Sequence, residues 1–525
     1  MHDSKMVNKH SVILVVLFVL NFLGIPAYQF GKYIDPVPST CDDVAIIGAG
    51  ASGSYAAWRL RHRNLKISMY EYSNRIGGRC YTVQLPGIPD VNVELGPMRF
   101  IPEDHPLMNK TAYDLGLNVI DFRIGYGPFP DSLYYLRGTH MEYNQLPVKA
   151  PYNLPAENRV DLKLLNWNVF NNFTFTDQNG ILTSVDGVPL KKQSWEMYMN
   201  KFLDMETIQY IRDSSGFKSW FGPEVAAEED IPRQYPRPKV VKTVKEGFQA
   251  FPQRMVVDFL QASAKHNFYY HSHLRSIRKN VKGDYVLKFQ PTQTRNGITT
   301  DIKNLPATER CAKKVLLAIP KLGLENLDWD GLRQEKVQNY LKNSVKTVLA
   351  SKIYFGYDHA WWRHIPLATT YAVSMTPLRQ TYDYGISNTT FKGVLNTAYT
   401  DADTKLWKEA IKTGKFLPGF GDNHFRMTDD SVDLARKFYA EIFKMPQANV
   451  PRPTSAVLSV FDMYPIGASW YTWRPGYDWD EVETCMTKPS ARDDVYIVGN
   501  IFSASGQSDW LEGGMEIVEK VIKLI

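Results

Sequence analysis

The sequence predicts an α/β fold built around a Rossmann-like nucleotide-binding domain, and three observations carry that prediction. The stretch from Asp43 to Glu71 reads as strand, glycine-rich turn, helix and second strand. β patterning returns far downstream, at 268–271, 274–278, 285–289 and 313–319, and again at 495–499. Between those visits lie long segments of different character, so the domain is discontinuous. At 525 residues and 44% hydrophobic, the chain is long enough for two or three domains with large cores.

The first strand, Val44 to Ile47, runs straight into Gly48-Ala49-Gly50-Ala51-Ser52-Gly53. Gly48 permits the turn, Gly50 lets backbone approach a pyrophosphate, and Gly53 lets the following helix pack on the sheet, while that helix's N-terminus offers free N–H groups to phosphates. A second strand, Leu65 to Tyr70, ends on Glu71, 23 residues after Gly48. An acid there accepts hydrogen bonds from an adenosine ribose and disfavours a 2′-phosphate. The turn Tyr72 to Arg79 then brings Gly77 and Gly78 together with Arg75 and Arg79, either of which can neutralise a diphosphate.

From Leu107 to about Val240 the patterning is mixed, with helix around 194–210 and polar loops near 171–187. Pro232, Pro236 and Pro238 mark the end of that region as a stiff, extended linker. Gly247 precedes an amphipathic helix, Pro252 to Ala262, and Lys313 to Ile319 is a buried strand feeding Pro320. The last unit, Val495 to Gly499, is a strand aimed at a loop and then a helix starting near Trp510.

Composition excludes several classes. The formal charge of +6 is mild for this size, and no basic cluster with interleaved aromatics suggests nucleic acid. Four cysteines, Cys41, Cys80, Cys311 and Cys485, show no CxxC or metal spacing and allow at most two disulfides. Lys5, Lys9 and His10 followed by the apolar run Val12 to Leu23 and by Ile25-Pro26-Ala27 read as a secretory signal peptide cleaved near Ala27, with a signal anchor as the alternative. Sequons at Asn109, Asn172 and Asn388 agree with an extracellular, glycosylated protein free of the membrane after cleavage.

Glu71 followed by Gly77-Gly78-Arg79 resembles the paired signature of the flavin amine oxidases, and Glu94-Leu95-Gly96-Pro97-Met98-Arg99-Phe100 resembles the substrate motif of their L-amino-acid oxidase branch. Within that branch the chain most resembles secreted mollusc oxidases of the aplysianin, achacin and escapin type, on Tyr135 to His140, Gly247 to Ala250 and Trp361-Trp362-Arg363; Gly96 to Arg99 also looks like the snake-venom enzymes. The resemblance runs from about Cys41 to the C-terminus. It implies a GR2-type FAD-binding domain from 41–90, 244–322 and 484–525, a mixed-sheet substrate domain from 91–160 and 323–483, and a helical insertion at 161–243.

It also implies roles. Gly48, Ala49, Gly50, Ser52, Gly53 and Glu71 would face FAD, together with Tyr72, Arg79, Leu274 (through its backbone) and Asn500; Gly96, Pro97, Met98, Arg99, Trp510 and Leu511 would complete that shell. Lys352, in a strand before a Trp pair, would position water at the flavin. Arg99 and Tyr399 would hold a substrate carboxylate, the guanidinium matching it bidentately. Trp470, within the aromatic stretch Pro465 to Gly476, and Trp510 would frame the substrate. No cysteine stands where monoamine oxidases link their flavin, so FAD is expected without a covalent bond. The positive end of the last helix would favour anionic reduced flavin. The implied reaction is oxidative deamination of an L-amino acid with O2 to a keto acid, ammonia and hydrogen peroxide, an antimicrobial or cytotoxic chemistry outside a cell.

Two positions depart from the pattern. Asn500 stands where relatives carry a glutamate that holds the ribityl chain, and Asp509 stands where they carry glycine. The first predicts weaker FAD retention, the second a narrower or more negative substrate cage. The rivals are a polyamine or monoamine oxidase, which has no use for a carboxylate clamp, and a catalytically weakened or inactive secreted defence or egg-mass glycoprotein of the same fold. A disulfide reductase is disfavoured, for want of a second GxGxxG and a redox cysteine pair.

Overall fold

The computed structural model describes residues 40–122, 129, 131–229, 240–418 and 426–525. The expected signal peptide and the proline-rich linker therefore lie outside the described residues.

Val44 and Ile46 point into one apolar core and Ala45 and Ile47 into another, so the strand Asp42–Ile47 is buried on both faces. That explains its unbroken apolar run, since only a sheet covered on both sides buries every residue. The sheet around it runs His266–Tyr269, Ile67–Tyr70, Asp42–Ile47, Thr308–Leu317, Tyr285–Arg295 and Ser272–Lys279. Its first four strands are parallel and the last two antiparallel. Thr308–Leu317 divides its outer edge: Thr308 to Ala312 pair with Phe289 to Tyr285, and Val315 to Leu317 pair in parallel with Val495–Ile497. The three sequence visits to this sheet thus meet on one strand. Helices Ala51–Leu60, Ala250–Ala262 and Leu511–Val521 cover one face, with Tyr55, Phe259 and Met515 in a shared core. Cys41 is disulfide-bonded to Cys311, tying the start of the first strand to its neighbour, while Cys80 and Cys485 are free thiols.

A second, seven-stranded sheet runs Ser455–Val460, Ser351–Tyr357, Gly393–Thr400, Gln380–Ile386, Tyr371–Ser374, Leu133–Leu136 and Thr139–Glu142. It is antiparallel except for one parallel pair, Tyr371–Ser374 with Leu133–Leu136. Ile353 and Phe355 bury against Trp361, Trp362 and helix Asp429–Ile442, which Thr428 and Ser431 cap reciprocally. The hairpin of Thr82–Leu85 and Ile88–Glu94 packs on this sheet through Val83, Val93, Tyr354 and Val457.

The region from 161 to 229 holds helices Leu162–Phe173, Trp195–Phe202 and Met205–Ser214, each started by a side-chain cap from Asp161, Ser194 or Asp204. The stretch expected as polar loop contains a hairpin, Thr174–Thr176 with Leu182–Ser184. Its strands are three residues long, too short to show a period, and its polar residues form the turn: the Asp177 carboxylate accepts from the Asn179 and Ile181 amides.

Candidate active site

Two cavities lie side by side where the sheets meet. The first, of about 530 Å³, opens beyond the C-terminal ends of the parallel strands and is lined by Gly48, Gly50, Ser52, Glu71, Leu274 and Gly499, among others. Its floor is made by the glycine turn. Gly48 has φ +101°, and a Cβ there would lie 2.4 Å from the Ala318 carbonyl oxygen; a Cβ on Gly53 would lie 1.9 Å from the Gly48 oxygen. A Cβ on Gly50, by contrast, would meet only the Gly77 carbonyl oxygen, at 4.0 Å. The helix Ala51–Leu60 starts there with neither a side-chain cap nor an acid in its first turn, so its positive end is left to the cavity.

Glu71 is fixed by three donors: the Ala49 amide to Oε2 at 2.8 Å, and the Ser73 amide and hydroxyl to Oε1 at 2.9 and 2.7 Å. Three of the carboxylate's four lone-pair sites are thus taken, and the one left, on Oε2, is open to a further donor. Ala49 and Gly53 themselves stand behind the wall: Ala49 turns its methyl into the core and contributes through its amide, while Gly53 serves the close packing of turn and helix. Of the two candidate arginines, Arg75 is consumed internally, donating to the Cys80 and Gly78 carbonyls and stacking on Tyr81. Arg79 lines the cavity, as Arg75 does, and donates to the Ser469 carbonyl and to Asn500 Oδ1, at 2.9 and 2.8 Å, so it ties the turn to both cavities. Glycines where a side chain would collide, an uncapped helix start and a fixed acid at its far wall fit a dinucleotide.

The second cavity, of about 660 Å³, shares Arg79, Phe461, Asn500 and Leu511 with the first. Gly96, Pro97, Met98, Arg99, Lys352, Tyr399, Trp470, Asp509 and Trp510 all line it. Strand register places its central pair, for Lys352 lies directly opposite Tyr399, and its ammonium sits 4.7 Å from the Tyr399 ring centroid. The Lys352 side chain donates to the Gly96 carbonyl, and burial pushes its pKa down to about 7, against the nearby Glu94 charge that favours protonation. Burial also raises Glu94, to about 7, although the Phe248 amide and the Thr82 hydroxyl hydrogen-bond its carboxylate.

Arg99 hydrogen-bonds Tyr382 and lies 5.7 Å from the Phe122 ring centroid, so a guanidinium is held on an aromatic wall. Tyr399 is half-buried and feels both the Arg99 and Asp509 charges. Trp470, Trp220, Phe217 and Tyr399 form a box, with Trp220 and Trp470 stacked at 6.4 Å and Phe217 edge-on to Tyr399 at 4.8 Å. Trp510 packs on the His105 ring at 4.4 Å, and His105 Nδ1 accepts the Ile101 amide, so the Arg99 segment is tied to the start of the last helix. Glu512 completes that tie by accepting the Leu107 and Met108 amides.

Sequence reasoning missed Tyr371, Tyr382, Gln380, Phe217, Trp220 and His105. None carries a spacing signal, because tertiary contact alone assembles them. Asn500 uses both ends of its amide, Oδ1 to Arg79 and Nδ2 to the Ser508 carbonyl at 2.6 Å. A carboxylate there has no donor for Ser508.

The model of the flavin containing amine oxidoreductases matches residues 51–515. The chain belongs to that family. It is 30% identical to Aplysianin-A of Aplysia kurodai over 518 residues, covering 94% of this chain and 93% of that protein. It is 29% identical to Achacin of Lissachatina fulica over 500 residues, 93% and 94% of the two chains. A solved putrescine oxidase, wild type bound to putrescine, superimposes with a TM-score of 0.63 over 93% of this chain and 99% of that one, at 16% identity. That likeness shows the amine oxidase fold. Flavin chemistry with O2 on a small-molecule substrate is what this membership brings.

Proposed function

We propose that this amine oxidoreductase is a secreted, FAD-dependent L-amino-acid oxidase that holds its cofactor without a covalent bond. One observation carries the substrate class: Arg99 and Tyr399 stand on the same wall of the larger cavity as Lys352, and a guanidinium beside a hydroxyl is a clamp for a carboxylate. The box of Trp470, Trp220 and Phe217 also suits a bare amine cation. An amine oxidase, however, gains nothing from a cationic arginine in that wall.

FAD would rest on Gly48, Gly50, Ser52 and Glu71, with Tyr72, Leu274 and Arg79 along the same cavity and Asn500 and Leu511 at the junction. Bound there, it supplies the two-electron acceptor, and O2 restores it with release of hydrogen peroxide. The chain's own residues do the rest. Arg99 and Tyr399 orient the carboxylate, Trp470 and Trp510 restrict the pose, and Lys352, uncharged above about pH 7, holds a water and accepts a proton beside the reacting carbon. Asp509 adds negative charge to the cage and favours a cationic side chain, so lysine or arginine is the expected substrate. The products are a keto acid, ammonia and hydrogen peroxide, the last giving a toxic role outside the cell.

Secretion is supported by the Cys41–Cys311 disulfide and by the exposed sequons at Asn172 and Asn388. Asn109 is a poor acceptor by comparison, since it lies within helix Pro106–Asp114 with Thr111 buried. Among the described residues no helix is long and apolar enough to cross a membrane. The absorption spectrum of the purified protein tests the whole reading. Flavin bands bleached anaerobically by an L-amino acid support it; bleaching by putrescine alone points to an amine oxidase, and bands that nothing bleaches point to an inactive glycoprotein.

A further inference from the structure

At the far end of the smaller cavity, beyond Glu71, four polar side chains from four separate stretches meet. His273 lies in the strand Ser272–Lys279, Asp301 ends the strand Ile298–Asp301, and Tyr464 comes from the loop that leaves the second sheet. His273 Nδ1 lies 2.6 Å from Asp301 Oδ1, and its Nε2 is hydrogen-bonded to the Tyr464 hydroxyl. Tyr72, next in sequence to Glu71, packs edge-on against both rings, at 5.0 Å from His273 and 5.3 Å from Tyr464. Its own hydroxyl donates to the Thr299 carbonyl at 2.8 Å.

The direction of each hydrogen bond follows. Asp301 is an acceptor, so Nδ1 of His273 carries the proton. Burial keeps the ring neutral, and Nε2 then accepts from Tyr464. The chain Tyr464 to His273 to Asp301 thus bridges the nucleotide-binding sheet and a loop of the second sheet, across the cavity that Tyr72, His273 and Tyr464 line. A surface tie would have no reason to face inward.

We propose that Asp301, His273, Tyr464 and Tyr72 form a clasp that closes the adenosine end of the cofactor cavity and sets how slowly FAD leaves. The inference rests on the FAD reading above but not on the substrate. It supplies a second hold on the cofactor in a chain whose junction residue is the neutral Asn500.

The test is the rate at which free FAD fluorescence appears after dilution of the purified holoprotein. Tyr464→Phe keeps both ring contacts and loses one buried hydrogen bond, so release is expected about tenfold faster. Asp301→Asn should act in the same direction. The double variant should release no faster than the faster single, because both act through His273 and the other partner of Asp301, Arg275 at 3.6 Å, is a half-exposed and therefore weak pair. Single variants that release FAD at the wild-type rate overturn the clasp alone. A double variant whose acceleration is the product of the singles also overturns it. Wild type that neither carries nor takes up FAD overturns the cofactor reading together with the clasp. The apo forms' melting temperatures, read alongside, should stay within a degree or two of wild type; a large fall in both would assign the cluster to folding and overturn the proposal.

Discussion

The two cavities are built from different materials. The smaller is shaped by backbone: a turn that only glycine can make, a helix end without a cap, and amides that fix Glu71. The larger is shaped by side chains, with Arg99, Lys352, Tyr399 and Trp470 drawn from four distant stretches. Backbone shape tolerates no substitution but leaves a local signature, whereas a side-chain wall tolerates change and leaves almost none.

The harshest way to test this contrast is Gly53→Val. Its Cβ would fall at 1.9 Å from the Gly48 oxygen and 3.0 Å from the Ala318 Cβ, and neither the turn nor the sheet can move aside. We expect loss of flavin and at least about 3 kcal/mol of stability, as in severe overpacking. Thermal unfolding and the flavin absorbance of the purified variant check it. A variant that folds normally and keeps its flavin would show that the turn is not what makes the smaller cavity.

Arg99→Ala probes the other cavity, with the opposite expectation. Flavin content should be unchanged, while kcat/KM for an L-amino acid should fall about a hundredfold, the loss of a charge-assisted bidentate contact of about 3 kcal/mol. Steady-state kinetics decide it, and unchanged constants would move the carboxylate elsewhere.

The same contrast explains what could be read from the sequence. The strand, turn, helix and acid of 43–71 were legible because their mechanism is local, and the three visits to one sheet followed from β patterning. The hairpin at 174–184 was not, since three-residue strands have no period. In the larger cavity Arg99, Lys352 and Tyr399 came only by resemblance. A buried lysine in a strand looks like any edge lysine until register sets it opposite Tyr399. Phe217, Trp220, Tyr382 and His105 had no signal at all, because contact across the fold assembles them.

Lys352 gives a pH signature. Its pKa is lowered by burial to about 7, so it is protonated below that and neutral above. Proton acceptance should therefore make kcat/KM rise as pH climbs through about 7 and level off beyond it. Lys352→Met should remove that limb and cost about two orders of magnitude at high pH. The sign for stability is separate: a lowered lysine pKa contributes stability above its unfolded value, near 10.5, and loses it as pH falls through about 7. Wild type should thus lose stability relative to Lys352→Met on acidification across that interval, measured by denaturant unfolding.

Asp509 offers the smallest effect and the finest discrimination, because it changes only charge within the side-chain wall. Asp509 lines the larger cavity, and its charge reaches the Tyr399 hydroxyl. A negative group there attracts a cationic side chain and repels an acidic one, with Arg99 left to hold the carboxylate common to both. Lysine or arginine should accordingly be oxidised well and glutamate hardly at all. Asp509→Asn keeps the shape and removes the charge, so the ratio of kcat/KM for lysine over glutamine should fall about tenfold, roughly 1.4 kcal/mol, while the value for glutamine itself moves little. An aspartate that is the cause of inactivity predicts something else: wild type would hold flavin and oxidise no amino acid, and the asparagine variant would recover turnover. Equal profiles in wild type and variant would mean that the charge is spent elsewhere in the wall, and that the aromatic box alone selects the side chain.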